Sequence, residues 1–299
     1  MTVAVTGAGS FIGTALAAQC RARHIDVVGI DAHPPEGSGW LRADIRASDV
    51  ADVIPDGAEA IVHLAALSRD PDCRDKAQAC FDVNVMGTLN LIRAAKVRNV
   101  KQFVFASSEW VYDSFVPGVE KTEDAPIDAA RLASEYALSK YVSENNLRQQ
   151  AAHGLCPATV LRFGIVYGPR RTNWSAVEAL LNAVATTDEV WVGSRATARR
   201  FIHVADVAEG ILAALGQAHP YDIFNIQGPS LVTLGDVIEC SAEILGRSPR
   251  IVETDPGAPS VRAVSSRKAA AALGWSARIG IRDGLADVAR RLGLSVAAA

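Results

Sequence analysis

Short runs of Val, Ile and other apolar residues alternate along the chain with longer stretches in which apolar residues recur at helical spacing. The runs "TVAVTG", "IDVVGID", "AIVHLAA", "KQFVFASS" and "ATVLRFGIV" are apolar on consecutive positions, the pattern of strands buried on both faces. Between them the spacing predicts helices over 11–23, 81–98 and 134–150. Strands separated by helices imply a doubly wound, parallel α/β sheet of the Rossmann kind. Beyond Val166 the pattern loosens into Gly-Pro turns, a helix near 174–184, and the runs "RRFIHVADVAEGILAAL", "LVTLGDVIECSAEIL" and "SRKAAAALGW". The expected division is a dinucleotide-binding domain from 1–164 and 200–227, and a smaller, discontinuous α/β substrate lobe from 165–199 and 228–299. Ligands of such sheets bind outside the carboxyl ends of the strands, where the strand order reverses.

Composition narrows the function classes. The 299 residues are 49% hydrophobic and 21% charged, enough for a sizeable core, and the net charge of -3 gives no global attraction for nucleic acid or an anionic membrane. Phosphate recognition must therefore be local. Five cysteines, Cys20, Cys73, Cys80, Cys156 and Cys240, lack zinc-like spacing and form an odd set, which predicts reduced thiols and no metal. The chain enters an apolar strand directly, without a basic leader, and no apolar run approaches membrane-spanning length, so a cytoplasmic protein is expected. The end "LSVAAA" reads as a frayed tail, and His63 and His203 read as structural histidines.

Candidate chemistry begins at "VTGAGSFIGTAL". Gly7, Gly9 and Gly13 follow a strand and open a helix, the context of a dinucleotide loop. Gly7 permits the tight turn and Gly13 lets helix and strand pack closely. Gly9 stands one residue early, and Ser10 occupies the usual middle position, where its hydroxyl is suited to donate to a phosphate. The helix N-terminus offers the N–H groups of Ser10, Phe11 and Ile12 to an anion. A tight turn without a ligand is the competing reading of the glycines. Asp31 ends the second strand about 20 residues on, where a carboxylate accepts from adenosine ribose hydroxyls and repels a 2′-phosphate, predicting NAD over NADP.

With further ordered motifs the chain resembles the extended short-chain dehydrogenase/reductase family of nucleotide-sugar epimerases, dehydratases and reductases, from Val3 to about Leu292. In "ADIRASD" the resemblance implies Asp44 and Ile45 beside the adenine, and in "VHLAALS" Leu64, Ala65 and Ala66 along the cofactor, with Ser68 and Arg69 entering the substrate loop. It implies Asn84 of "NVMGTLNLI" on the nicotinamide side, with Ser107 and Phe163 also near the cofactor. In "FASSEWVY" and "YALSK" it implies Ser108 as orienter of the substrate oxygen, Tyr136 as base or acid, and Lys140 as ribose anchor and tuner of the phenol. Tyr136 and Lys140 are four apart and share a helix face, where an ammonium favours the phenolate. A solvated helix face is the competing reading of that pair alone.

Several outcomes share this constellation. An epimerase passes through a transient keto sugar and returns the hydride, a dehydrogenase or 4-ketoreductase performs net redox, and a dehydratase adds an elimination. The family dehydratases carry an acid two positions after the Ser/Thr, where this chain has Trp110, although Glu109 stands next to it. Ile165 replaces an asparagine frequent in family epimerases, and Asp255 replaces a basic residue. Glu109, Trp110, Asn173, Arg199 and Arg262 are the remaining substrate candidates, the arginines as charge-assisted donors to a diphosphate. The expectation is an NAD-dependent nucleotide-sugar epimerase, and the family's four-helix contact implies a homodimer. A non-catalytic cofactor-binding protein remains an alternative.

Overall fold

The computed structural model describes residues 1–295; residues 296–299, part of the expected frayed tail, lie outside the described residues. Strands β1 (Thr2–Thr6), β2 (Asp26–Asp31), β3 (Leu41–Arg42), β4 (Ala60–His63), β5 (Phe103–Ser108), β6 (Ala158–Phe163) and β7 (Tyr221–Ile226) form a seven-stranded sheet in the order β7-β6-β5-β4-β1-β2-β3. Every pair in it is parallel. β4, β5 and β6 are buried along their whole length, which is why they read as unbroken apolar runs. Successive residues still serve opposite faces: Val3 and Val5 join one core with Leu16, Val62 and Val104, while Ala4 joins the other with Ile61, Leu91 and Phe105. The order reverses between β1 and β4, so the crevice opens beside Gly7 and Leu64.

The flanking helices α1 (Phe11–Ala22), α2 (Gly87–Val97) and α3 (Glu135–Ala152) match the predicted ones within a few residues. The stretch expected as one helix over 81–98 is interrupted: a π-turn at Asp82–Met86 separates the helix Ala77–Phe81 from α2. β7 is a strand that the apolar pattern does not single out. Its sequence "YDIFNI" carries Asp222 and Asn225, and it borders the sheet, where a continuous apolar run is not required.

The helices Ala176–Thr186, Leu234–Leu245 and Ile281–Leu292 share a second core containing Val177, Leu181, Val237, Ile238, Leu285 and Val288. Strand Ala198–Arg199 lies between Val232–Thr233 and Val261–Arg262, and Glu189–Val192 pairs with Arg250–Glu253. Not all of 228–299 packs here, contrary to expectation. Ala269 and Trp275 enter the core of the large sheet beside Phe224 and Ile226, because the face of β7 needs an apolar cover. The tail also begins later than expected: Gly293 ends the last helix in the left-handed region, and Leu294 packs back onto the second core.

His63 is fully buried on β4, with Nδ1 2.8 Å from Thr6 Oγ1 and Nε2 3.0 Å from Thr88 Oγ1. Burial, helped by the charge of Lys140, lowers its pKa to about 3. The unfolded chain therefore takes up a proton below about pH 6.5 that the folded chain refuses, and stability falls as the pH falls, by up to roughly 1.4 kcal/mol per unit. Denaturant titrations from about pH 7 to about pH 4.5, which bracket the unperturbed imidazole pKa, should show this slope in the wild type and a shallower one in His63→Gln. Identical slopes would assign the acid sensitivity to other groups.

Candidate active site

The glycine loop is built by close backbone approaches. Gly7 sits at φ 70°, donates to Ile30 O at 2.8 Å, and leaves no room for a Cβ, which would lie 2.7 Å from Ala65 N. A Cβ on Gly13 would lie 2.4 Å from Gly7 O, so the helix can approach β1 only with glycine there. Gly9 has a different reason from the one its motif carries. Its N–H donates to Asp31 Oδ2 at 2.9 Å, and a Cβ would press on that carboxylate and on Pro35. Ser10 caps α1 by accepting from Gly13 N at 3.1 Å, which leaves its hydroxyl hydrogen to donate elsewhere. The first turn of α1, with Phe11 and Ile12, carries no acid, so the positive helix end faces the crevice uncompensated. Ile12 packs on the sheet core, and the Phe11 ring stacks under Arg170 at 4.5 Å.

Asp31 uses one carboxylate oxygen on Gly9 N and the other on His33 N, at 2.9 Å each. Each oxygen keeps a second lone pair for a ribose hydroxyl. Asp44 is clasped by Arg46, whose hydrogen bonds hold its carboxyl below the usual range, and Ile45 fills the space that Gly87 leaves open. These residues fit a dinucleotide: a cradle too tight for any Cβ, an exposed helix N-terminus and a strand-end carboxylate.

Asn84 supports the loop from inside the protein. It is buried at the π-turn and uses its amide inside the protein, accepting from Leu67 N at 2.8 Å and donating to Leu67 O at 3.0 Å and Ser139 Oγ at 2.9 Å. It therefore acts on the cofactor side through the backbone of 64–67, which it clamps to α3. Leu64 and Ala65 are held in turn by Thr6. Ser68 follows on this loop, and Arg69 is paired with Asp72 at the surface. Phe163 ends β6 inside the apolar core.

The expected triad converges at the end of β5. Ser108 is buried, caps the short turn Glu109–Val111, and stands in hydrogen-bond reach of the Tyr136 phenol. Lys140, one turn along α3, is also buried and donates to Ala106 O at 2.8 Å. Its Nζ lies 4.9 Å from the Phe105 ring centroid and 5.9 Å from that of Tyr136. One expectation fails: in the protein alone the phenol is not acidified. Burial raises Tyr136 to about 12, with the Ser108 hydrogen bond opposing, and burial lowers Lys140 to about 8. Desolvation outweighs an ammonium that is already bonded elsewhere.

Ser107 ties the end of β5 to the interior, as a strand-end support. Its hydroxyl donates to Glu144 Oε1 at 2.5 Å, because consecutive strand residues point to opposite faces. Glu144 forms a buried ion pair with Arg162 of β6 at 2.7 Å, and Arg162 also reaches the Tyr112 hydroxyl. Sequence reasoning misses this pair. The signal is present, since Glu144 lies one further turn along the α3 face of Tyr136 and Lys140.

Above Ser108 lies a charged group. Glu109 is fully buried, neither carboxylate oxygen has a hydrogen-bond partner, and burial raises its pKa to about 7 against the pull of Arg262 and Arg199. The Arg262 guanidinium lies between the rings of Trp110 at 4.9 Å and Phe115 at 4.8 Å, and donates to Tyr112 O. Arg199 donates to Ala198 O, Ser260 O and Ser260 Oγ. Asn173 is exposed, in a left-handed turn that suits asparagine for backbone reasons. Among the described residues, no cluster of His, Cys, Asp or Glu has metal-binding geometry, no helix is long and apolar enough to cross a membrane, and all five cysteines are unpaired.

Residues 3–226 match the family model described as the NAD dependent epimerase/dehydratase family. The UDP-glucose 4-epimerase of Corynebacterium glutamicum is 28% identical, over 92% of this chain and 91% of the relative. The structure of MoeE5 in complex with UDP-glucose and NAD superposes with a TM-score of 0.86 at 28% identity, covering 98% of this chain and 99% of the other. The NAD complex of the UDP-glucose 4-epimerase of Thermus thermophilus gives 0.84 at 25% identity, with 98% and 99% covered.

Arg162→Met should cost about 3–5 kcal/mol in urea denaturation, because it strands the Glu144 charge in the interior. The double variant Arg162→Met/Glu144→Leu should recover much of that loss. A double variant no more stable than the single one would mean that packing, not charge, governs this joint.

Proposed function

The chain belongs to the NAD dependent epimerase/dehydratase family, and on that premise we propose that it is a nucleotide-sugar epimerase working through a transient keto sugar. The observation that carries this reading is the convergence of Ser108, Tyr136 and Lys140 at the carboxyl end of β5, beside the crevice where the strand order reverses. Bound NAD would supply the acceptor and donor for the hydride, and positive charge. Gly7, Gly9, Ser10, Gly13 and Asp31 would hold it, together with the amide-clamped segment 64–67.

The remaining steps belong to the side chains. Ser108 orients the reacting sugar oxygen, and Tyr136 takes its proton as the carbonyl forms and returns it as the carbonyl is reduced. Because burial holds the phenol high in the free protein even with Lys140 one turn away, the cycle depends on positive charge beyond that of Lys140. Asn84 and the Glu144–Arg162 pair fix the distance between α3 and β5. The curated and structural relatives, which act on or bind UDP-glucose, support a UDP-sugar as substrate. The large sheet with residues 200–227 forms the NAD-binding domain, and the second core forms the substrate lobe. A homodimer through α2 and α3 is supported by the exposed Met86 and Val97 at the ends of α2. Unpaired thiols throughout the described residues support a reducing, cytoplasmic setting.

The experiment incubates the protein with UDP-sugars, following sugar products and reduced-nicotinamide absorbance together. A new epimer without lasting absorbance supports the proposal. Reduced cofactor accumulating in step with product would replace it with a net dehydrogenase, and loss of water from the sugar with a dehydratase. Tyr136→Phe should lower turnover by at least about 100-fold, in line with loss of a general acid-base group, while NAD binding persists. Near-normal turnover in that variant would remove Tyr136 from the mechanism.

A further inference from the structure

The glycine loop and the second core lie in different parts of the fold, and Phe11 and Arg170 bring them into contact. Phe11 is the first residue of α1, and the Arg170 guanidinium lies 4.5 Å from the centroid of its ring. The approach is close along the backbone as well: a Cβ on Gly168 would lie 3.0 Å from Phe11 Cζ. Arg170 is not a loose surface cation. Its Nε donates to Glu178 Oε1 at 2.7 Å and its Nη2 to Val166 O at 3.1 Å, and the Glu178 side chain is fully buried. The same carboxylate accepts from Gly168 N at 3.2 Å, from Ser175 N at 2.9 Å and from the Ser175 hydroxyl, closing the capping box that starts the helix Ala176–Thr186. One carboxylate thus sets the turn 168–175, the entry of a helix whose Val177 and Leu181 belong to the second core, and the guanidinium that rests on the glycine loop.

The first turn of a helix is held least well by its own backbone, because its N–H groups have no carbonyl partners within the helix. A pyrophosphate at the N-terminus of α1 would supply those partners and fix the turn, and with it the ring beneath Arg170. We propose that Arg170 is a positioning residue that couples the two parts of the site: NAD on the glycine loop orders the lobe segment 168–178 through the Phe11 ring, so that the lobe is set for its ligand once the cofactor is in place. The coupling is reciprocal, since two ligands that order one joint each spare the other part of the ordering entropy. A partly desolvated cation over an aromatic face suits this role, because the attraction depends on where the ring sits and weakens when the ring moves away. The inference needs bound NAD but not the epimerase reading, which is decided separately by the sugar products.

The test follows hydrogen exchange by mass spectrometry in nucleotide-stripped protein, with and without saturating NAD, for the wild type, Arg170→Met and Phe11→Leu. In the wild type NAD is expected to slow exchange in residues 7–16 and also, by at least about 5-fold, the low end of coupling between sites, in residues 168–178. Both variants should keep the slowing in 7–16 and lose it in 168–178. A direct contact between NAD and the lobe would persist in both variants, so protection of 168–178 that survives in both overturns the role of Arg170. A wild-type lobe whose exchange is indifferent to NAD, while 7–16 is slowed, overturns it as well. Phe11→Leu leaves the Arg170–Glu178 pair intact, so the two variants approach the contact from opposite sides, and should one fail to fold the other decides. Loss of NAD binding in folded Phe11→Leu also overturns the proposal, because the ring would then belong to the cofactor's own site. Wild-type protein that shows no slowing anywhere removes NAD as its cofactor, and this inference with it.

Discussion

The buried pair of Glu144 and Arg162 is the joint on which the geometry of the catalytic centre depends. It ties α3, which carries Tyr136 and Lys140, to β6, and through Ser107 it also holds β5, which carries Ser108. Three elements distant in sequence are thereby set at fixed spacing by one charge-assisted network. Such a pair contributes little net stability compared with a well-packed apolar substitute, because both ions had to leave water. Its value is directional: hydrogen bonds from a planar guanidinium define orientation in a way that apolar contacts do not. Asn84 adds the neutral counterpart, clamping the backbone of 64–67 to the same helix.

Close constraint also governs the nucleotide end. Gly7 and Gly13 are required by backbone approaches that any Cβ would block, while Gly9 is required by Asp31, whose carboxylate it meets through its own N–H. The offset glycine is thus a repositioned support. It couples the loop to the strand-end acid, so that Asp31 and the glycine turn are one unit.

Electrostatically the centre is held away from its working state. The phenol is raised and the lysine lowered by the same desolvation, and Glu109 is raised toward neutrality beside two confined arginines. A dry pocket makes every later charge interaction stronger, and ligands that bring charge or donors meet groups already stripped of water. The consequence is a set of buried polar groups whose cost packing elsewhere must offset.

The strand runs, α1, the glycine loop, Asp31 and the Ser-Tyr-Lys set are legible in the sequence because each is local: periodicity, spacing and backbone sterics act within a few residues. The edge strand β7 is not, since its alternation is broken by Asp222 and Asn225, whose long-range partners are Lys268 and Ser265. Nor are the π-turn that buries Asn84 and the return of Trp275 to the large sheet. Side-chain direction is equally hidden: Ser107 and Ser108 are neighbours in the chain, yet one serves the ion pair and the other the site. The sequence by itself determined the fold class, the order of the motifs and the chemistry available. Only the tertiary structure decided which polar groups satisfy one another and which are left for a ligand, because burial and hydrogen-bond partnership are properties of elements brought together from opposite ends of the chain.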